Sequence, residues 1–203
     1  MTETLQIEEL GEIPFDRKDI LRYALLPSSV EMPEELPLEE CMEAAKGAAQ
    51  CRAVWRRYPL ARDGETLDLG FARTDSRNLR QRLEGCSGIL LFCCTAGRET
   101  DRRIARAKLQ SPVKELLMHA IGAQQVEGGC DKLCRRLAER FPDMQMTERY
   151  SPGYGDLPLS LQKDVMTALR CAQTIGVTLT DSLLMQPSKS VTAIIGMKEN
   201  EQP

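Results

Sequence analysis

Gly88-Ile-Leu-Leu-Phe-Cys-Cys94 is the stretch on which the fold turns. It carries no charge and no strong hydrogen-bonding side chain, so a strand here needs cover on both faces. Gly85 closes the segment before it, and Thr95-Ala-Gly97 ends the strand itself. Whatever surrounds this run must bring apolar surface to both sides of one sheet.

Downstream, Arg98 to Lys108 reads as a helix. Ser111-Pro112 then pairs an N-cap residue with proline at the first helical position. It opens a long helical stretch in which Leu116, Leu117, Ala120, Ile121 and Gln124, then Cys130, Leu133, Cys134 and Leu137, continue to about Phe141. Met144 to Tyr150 looks extended, Ser151 to Pro158 is a loop and Ser160 to Ala172 a helix. Val177 to Leu179 and Ser190 to Met197 are β-prone. Upstream, Ser76 to Glu84 is an Arg-rich helix with Leu79 and Leu83 facing inward. Cys51 to Leu60 reads as a strand, with Asp63-Gly64 as a turn and Thr66 to Phe71 as its return strand. Leu38 to Ala49 and the segment capped by Asp16 read as helices, Pro27 to Pro37 as a loop, and Met1 to Pro14 as an extended lead. Helices and strands are mixed rather than strictly alternating, which predicts an α+β fold: a twisted antiparallel or mixed sheet with flanking helices. The 203 residues suit a single domain spanning 1–203, with about 1–50 an N-terminal helical extension packed on it.

The bulk numbers exclude several classes. Twenty-seven basic against thirty acidic residues give a net charge of −3, whereas nucleic-acid binders concentrate positive charge. No run approaches the ~18 apolar residues of a membrane span, and Met1 to Leu10 is polar and acidic, unlike a secretory leader. The eight cysteines, several inside apolar periodic segments, therefore read as reduced, buried thiols of a cytoplasmic protein.

The loop Arg149 to Pro158, RYSPGYGDLP, concentrates two glycines, two prolines, two tyrosines, an arginine and an aspartate. Pro152-Gly153 is a turn signature. Gly153 and Gly155 allow a ligand close to the backbone, Arg149 can grip a carboxylate in a bidentate way, and Tyr150 or Tyr154 can lie against an adenine or a sulfonium. The plain alternative is a surface turn joining a strand to a helix.

Arg149, Gly153 and Tyr154 also form an Arg-x-x-x-Gly-Tyr motif, followed by a proline and a helix. With the closing run Gly176-Val-Thr-Leu-Thr-Asp-Ser-Leu-Leu-Met-Gln-Pro-Ser-Lys-Ser-Val-Thr192, the chain resembles the activation domain of vitamin B12-dependent methionine synthase, in a free-standing form. The resemblance covers the C-terminal half well and the first half poorly. It implies that Arg149, Ser151, Pro152, Gly153 and Tyr154 bind S-adenosylmethionine. It further implies a module that caps a partner's cobalamin while that cofactor is reductively methylated. The corrinoid would come with the partner, a truncated cobalamin-dependent methionine synthase or another corrinoid protein, since no cobalamin-binding Asp-x-His-x-x-Gly motif is present. A flavodoxin-like protein would supply the electron. Two family features are missing: the aromatic pair after the closing run falls on Ile194-Ile195-Gly196, and an early acidic residue has no counterpart. A second family carboxylate falls near Arg135 by register, with Glu127 one or two turns away. The alternative is therefore a non-catalytic docking module for another corrinoid methyltransferase system.

The remaining candidates have plain readings. His119 is the lone histidine, and metal sites need several ligands. Cys130 and Cys134 share a helix face without zinc-like partners. Arg98, Arg102, Arg103 and Arg106 read as a solvated face or as a contact for an acidic partner.

Overall fold

A computed structural model describes residues 4–26 and 36–200. In chain order the elements are β1 (Gln6–Gly11), α1 (Arg17–Tyr23), α2 (Leu38–Ala45), β2 (Cys51–Pro59), β3 (Ala61–Asp63), β4 (Thr66–Asp68), β5 (Arg73–Thr74) and α3 (Arg77–Arg82). They continue with β6 (Gly88–Thr95), α4 (Arg98–Lys108), α5 (Pro112–Arg140), β7 (Met144–Met146), a 3-10 turn (Leu159–Leu161), α6 (Gln162–Ala168), α7 (Cys171–Thr174), β8 (Thr178–Leu179), β9 (Met185–Gln186) and β10 (Ser190–Glu199). The loop expected over Pro27 to Pro37 lies, apart from its last two residues, outside the described residues.

The main sheet runs β1-β2-β6-β10-β7, and every neighbouring pair is antiparallel. The apolar run Gly88 to Cys94 forms its centre: every residue of β6 is buried. Alternate residues go to opposite faces. Ile89, Leu91 and Cys93 join a core with Val54, Ile194, Leu79, Val165 and Leu169. Leu90, Phe92 and Cys94 join another with Trp55, Ala193, Val126, Cys130 and Leu133. The second core lies under α5, whose twenty-nine residues extend about 43 Å. Gly129 lets this helix come close: a Cβ there would stand 3.1 Å from Cys51 Sγ and 3.3 Å from Cys94 Sγ. A third core joins α1 and α2 to α4 and the first half of α5. The α+β class expected from the sequence is the one observed.

Local chemistry explains the ends of several elements. Ser111 Oγ accepts from the Lys114 N–H, as expected of that N-cap, and Asp16 and Ser76 do the same for α1 and α3. Three details differ from expectation. Gln6–Gly11 is more than a lead, since it pairs with β2 along the sheet edge. Thr66–Asp68 returns against Ala61–Asp63 rather than against β2, because both edges of β2 are taken by β1 and β6. The helix expected over Ser160 to Ala172 is broken at Arg170, which adopts a left-handed conformation (φ 52°) between α6 and α7.

All eight cysteines are free, and only Cys134 is not fully buried. Burial pushes the Cys51 thiol up to about 12 and the Cys134 thiol to about 11, so these are packing groups rather than nucleophiles. Among the described residues no cluster of three or more His, Cys, Asp or Glu could hold a metal ion, and no helix is long and apolar enough to cross a membrane.

Candidate functional site

The loop after β7 is tied to the sheet before it turns. The Tyr150 N–H donates to the Ile194 carbonyl at 2.9 Å, and the Ile194 N–H returns a bond to Tyr150 at 2.8 Å. This bridge brings the Arg149 motif beside the end of the closing run, which β10 carries. The loop then closes on itself. Tyr150 Oη donates to the Tyr154 carbonyl at 3.0 Å, and the Gly153 N–H to the Leu157 carbonyl at 2.9 Å. Asp156 fastens the outer arm by accepting from Ser76 Oγ and from the backbone N–H groups of Arg77 (2.7 Å) and Asn78 (3.2 Å) at the start of α3. The Ser76 hydroxyl, aided by those two N–H groups, holds the Asp156 carboxyl below the usual carboxylate range. Gly155 sits where no side chain fits. Its φ is +54°, and a Cβ would fall 2.1 Å from Asn78 Nδ2 and 2.5 Å from Tyr150 Oη.

Arg149 faces α5. Its Nη2 donates to Asp131 Oδ1 at 2.8 Å, and Glu127 Oε2 lies 3.2 Å from Nη1. The second contact is an ion pair only: Nη1 is sealed from solvent and has no hydrogen-bond acceptor. Partial burial by itself would lower the Arg149 pKa, but Cys130, Glu127 and Asp131 around it raise it overall. The guanidinium is thus fixed as a cation against α5. Of the two carboxylate positions weighed from the sequence, Glu127 is the one that meets Arg149.

Two adjoining cavities open on this arrangement. The smaller, about 320 Å³, is lined by Arg82, Glu148, Arg149 and Tyr150; the larger is about 580 Å³. They share Glu127, Ser151, Tyr154 and Val191. The larger cavity is walled by Leu159, Leu183 and Met185, with Gln162 and Thr192 among its polar groups. The hairpin of β8 and β9 makes one side of it, and Tyr154 and Leu184 stand at its rim, 67% and 64% exposed. The closing run is pinned behind the cavity, where Ser188 donates through N–H (2.8 Å) and Oγ (2.6 Å) to the two oxygens of Asp101. Ser190 Oγ donates to Thr95 Oγ1 at 2.8 Å.

The structure therefore brings Arg149, Ser151, Pro152 and Tyr154 to the cavity walls, while Gly153 shapes the turn behind them. It adds Asp101 and Gln162, which carry no signal in the sequence. Asp101 is one of several charges on a polar helix, and Gln162 resembles any helix-starting amide. Ile195 and Gly196, at the positions of the missing aromatic pair, are committed to packing: Ile195 is 1% exposed, and a Cβ on Gly196 would meet Cys86 Sγ at 2.6 Å. His119 lies on α5, its pKa lowered by partial burial and by Lys189. In the arginine group, Arg102 and Arg103 both pair with Glu99.

Fold and site together define an α+β domain with a cavity between a tyrosine-bearing turn and a β-hairpin. Residues 89–202 match the model of a family described as "Vitamin B12 dependent methionine synthase, activation domain", and the chain belongs to that family. A crystal structure of the MetH reactivation domain bound to AdoHcy is similar in fold, with a TM-score of 0.64 and 16% sequence identity. The match covers 98% of this chain and 80% of that one. A search of curated proteins finds no match.

Proposed function

We propose that this chain is a reactivation subunit for a cobalamin-dependent methionine synthase. In this reading it binds S-adenosylmethionine in the joined cavities and presents the methyl group to the cobalamin of a separate corrinoid protein, with a flavodoxin-like protein as electron donor. The observation that carries it is the charge pattern at the smaller cavity. A fixed guanidinium and the Glu127 carboxylate line the same cavity side by side, a pairing suited to the carboxylate and ammonium of an amino-acid ligand. The MetH reactivation domain of similar fold is bound to AdoHcy, which fits the same assignment.

Each residue then has a physical task. Arg149 holds the ligand carboxylate and Glu127 the ammonium. Ser151 and Pro152 offer backbone groups, Gly153 shapes the turn, and the exposed ring of Tyr154 lies against the sulfonium or the base. The sulfonium supplies an already activated methyl group, so this chain contributes position and exclusion of water. The apolar rim of Tyr154, Leu159 and Leu184 offers a surface on which a partner could close the cavity. The eight free thiols support placement in a reducing, cytoplasmic setting.

A second reading is also favoured by a specific observation. Arg149 is already engaged by two carboxylates, and the aromatic pair of the family is replaced by packed Ile195 and Gly196. A chain that had lost its ligand and only docks on a corrinoid protein would show both. The deciding experiment supplies a purified corrinoid partner holding cob(II)alamin, a chemical reductant, S-adenosylmethionine and this chain. Appearance of the methylcobalamin spectrum only when all are present is the expected result. A stable complex without methyl transfer would support docking alone.

A further inference from the structure

The larger cavity differs from the smaller in one respect: apart from the shared Glu127, its available recognition groups are neutral. Asp101 is its other charged lining side chain, and both of its oxygens are occupied by Ser188. Its lining includes the apolar groups Leu159, Leu183 and Met185 and a buried polar pair, Gln162 with Thr192.

That pair is half satisfied. Gln162 begins α6 and is 3% exposed, and Thr192 on β10 is 2% exposed. Thr192 Oγ1 donates to Gln162 Oε1 at 2.9 Å, which fixes the plane of the amide. The Gln162 Nε2 group has no hydrogen-bond partner among the described residues. Nor is it one of the sealed orphan atoms, which are Trp55 Nε1 and Arg149 Nη1. It is therefore a pair of N–H donors on a nearly buried residue that lines the cavity. Because Nε2 reaches the cavity, water serves it in the free chain and a ligand acceptor can take that place. Such a group is expected where a ligand supplies the missing acceptor.

We propose that Gln162 is a specificity-determining residue of this site, reading the purine base of the ligand by donating from Nε2 to a ring nitrogen. Thr192 acts as the positioning residue that aims the amide. The inference rests on the S-adenosylmethionine reading above and adds what that reading lacks: a side chain for the heterocycle. Purine ring nitrogens are acceptors on a flat apolar body, which is the complement of an amide donor beside apolar lining groups. The smaller, charged cavity takes the zwitterion and the larger takes the base.

The test is calorimetric titration of the full chain with S-adenosylhomocysteine and with its 1-deaza, 3-deaza and 7-deaza analogues, each lacking one ring acceptor. Gln162→Glu keeps the shape but replaces the donor with a carboxylate. It should weaken the parent ligand by about tenfold or more, the scale of leaving a buried recognition group unpaired. One of the three analogues should show a similar loss on the unaltered chain and no further loss on the variant. A folded variant of unchanged affinity overturns the assignment. If the variant does not fold, the analogues decide alone: three that bind the unaltered chain as well as the parent does overturn the assignment, and a loss confined to one supports it. An unaltered chain that binds none of these ligands removes the S-adenosylmethionine reading itself and this inference with it. That outcome is distinguishable from failure at Gln162.

Discussion

Strand β6 and the loop Arg149 to Pro158 are both ordered, but by different forces. β6 is held by area: eight consecutive buried residues and a core on either face. The loop is held by a handful of directed bonds from Tyr150, Gly153 and Asp156 to named partners. Burial tolerates exchange of one apolar group for another, whereas a turn built on single hydrogen bonds does not. The first region makes the domain stable, and the second gives it a shape that a ligand can use.

The largest effect should come from the strand. Leu91 is fully buried, and Leu91→Ala should cost about 2–5 kcal/mol in urea or guanidinium unfolding, as a lost side chain plus its cavity. A smaller cost would mean that the core beside α6 relaxes around the gap. Next comes the loop. Gly155→Ala forces a side chain into a left-handed conformation against Asn78 and Tyr150. It should cost about 1–3 kcal/mol and should also impair ligand binding, a pairing that Leu91→Ala need not show. If Gly155→Ala binds ligand normally, the turn is not part of the site.

Asp156 sharpens the contrast through pH. Its folded-state pKa is depressed by Ser76 Oγ and by the Arg77 and Asn78 N–H groups. Its contribution is therefore present above the unfolded carboxylate value of about 3.9. It is lost as pH falls through the lower folded value. Melting midpoints taken from pH 6 down to pH 2 should fall more steeply below about pH 4 for the unaltered chain than for Asp156→Asn. Parallel curves would mean that this tie contributes nothing. The smallest effect belongs to the surface: Glu9→Ala removes the exposed pair with Arg52 on the sheet edge and should change stability by about 0.5 kcal/mol or less.

The same contrast explains what can be read from the residues. Burial leaves a local trace, so Gly88 to Cys94, the Ser111-Pro112 helix start and the α+β class are legible. Directed bonds between distant segments leave none. Nothing near Asp156 shows that it caps a helix eighty positions earlier through Ser76, or that Gln162 meets Thr192. The pairing of Thr66–Asp68 escapes the sequence because β1, a half-exposed edge strand with little apolar signal, claims the side of β2 that a hairpin would have used. Arg170 ends α6 with neither glycine nor proline to mark it. In the site, the Arg149 motif and the closing run are visible as separate words. Their meeting through the Tyr150–Ile194 bridge, and the placing of Glu127 and Asp131 against Arg149, depend on the fold.

The function proposed for this chain depends above all on the guanidinium of Arg149 holding the carboxylate of a sulfonium amino acid. Titration calorimetry of S-adenosylhomocysteine against the unaltered chain and Arg149→Ala, with melting midpoints recorded for both, tests it most directly. The expected result is binding to the unaltered chain, a loss of about tenfold or more in the variant, and a fold that survives the change. Equal affinity in two folded proteins would contradict it.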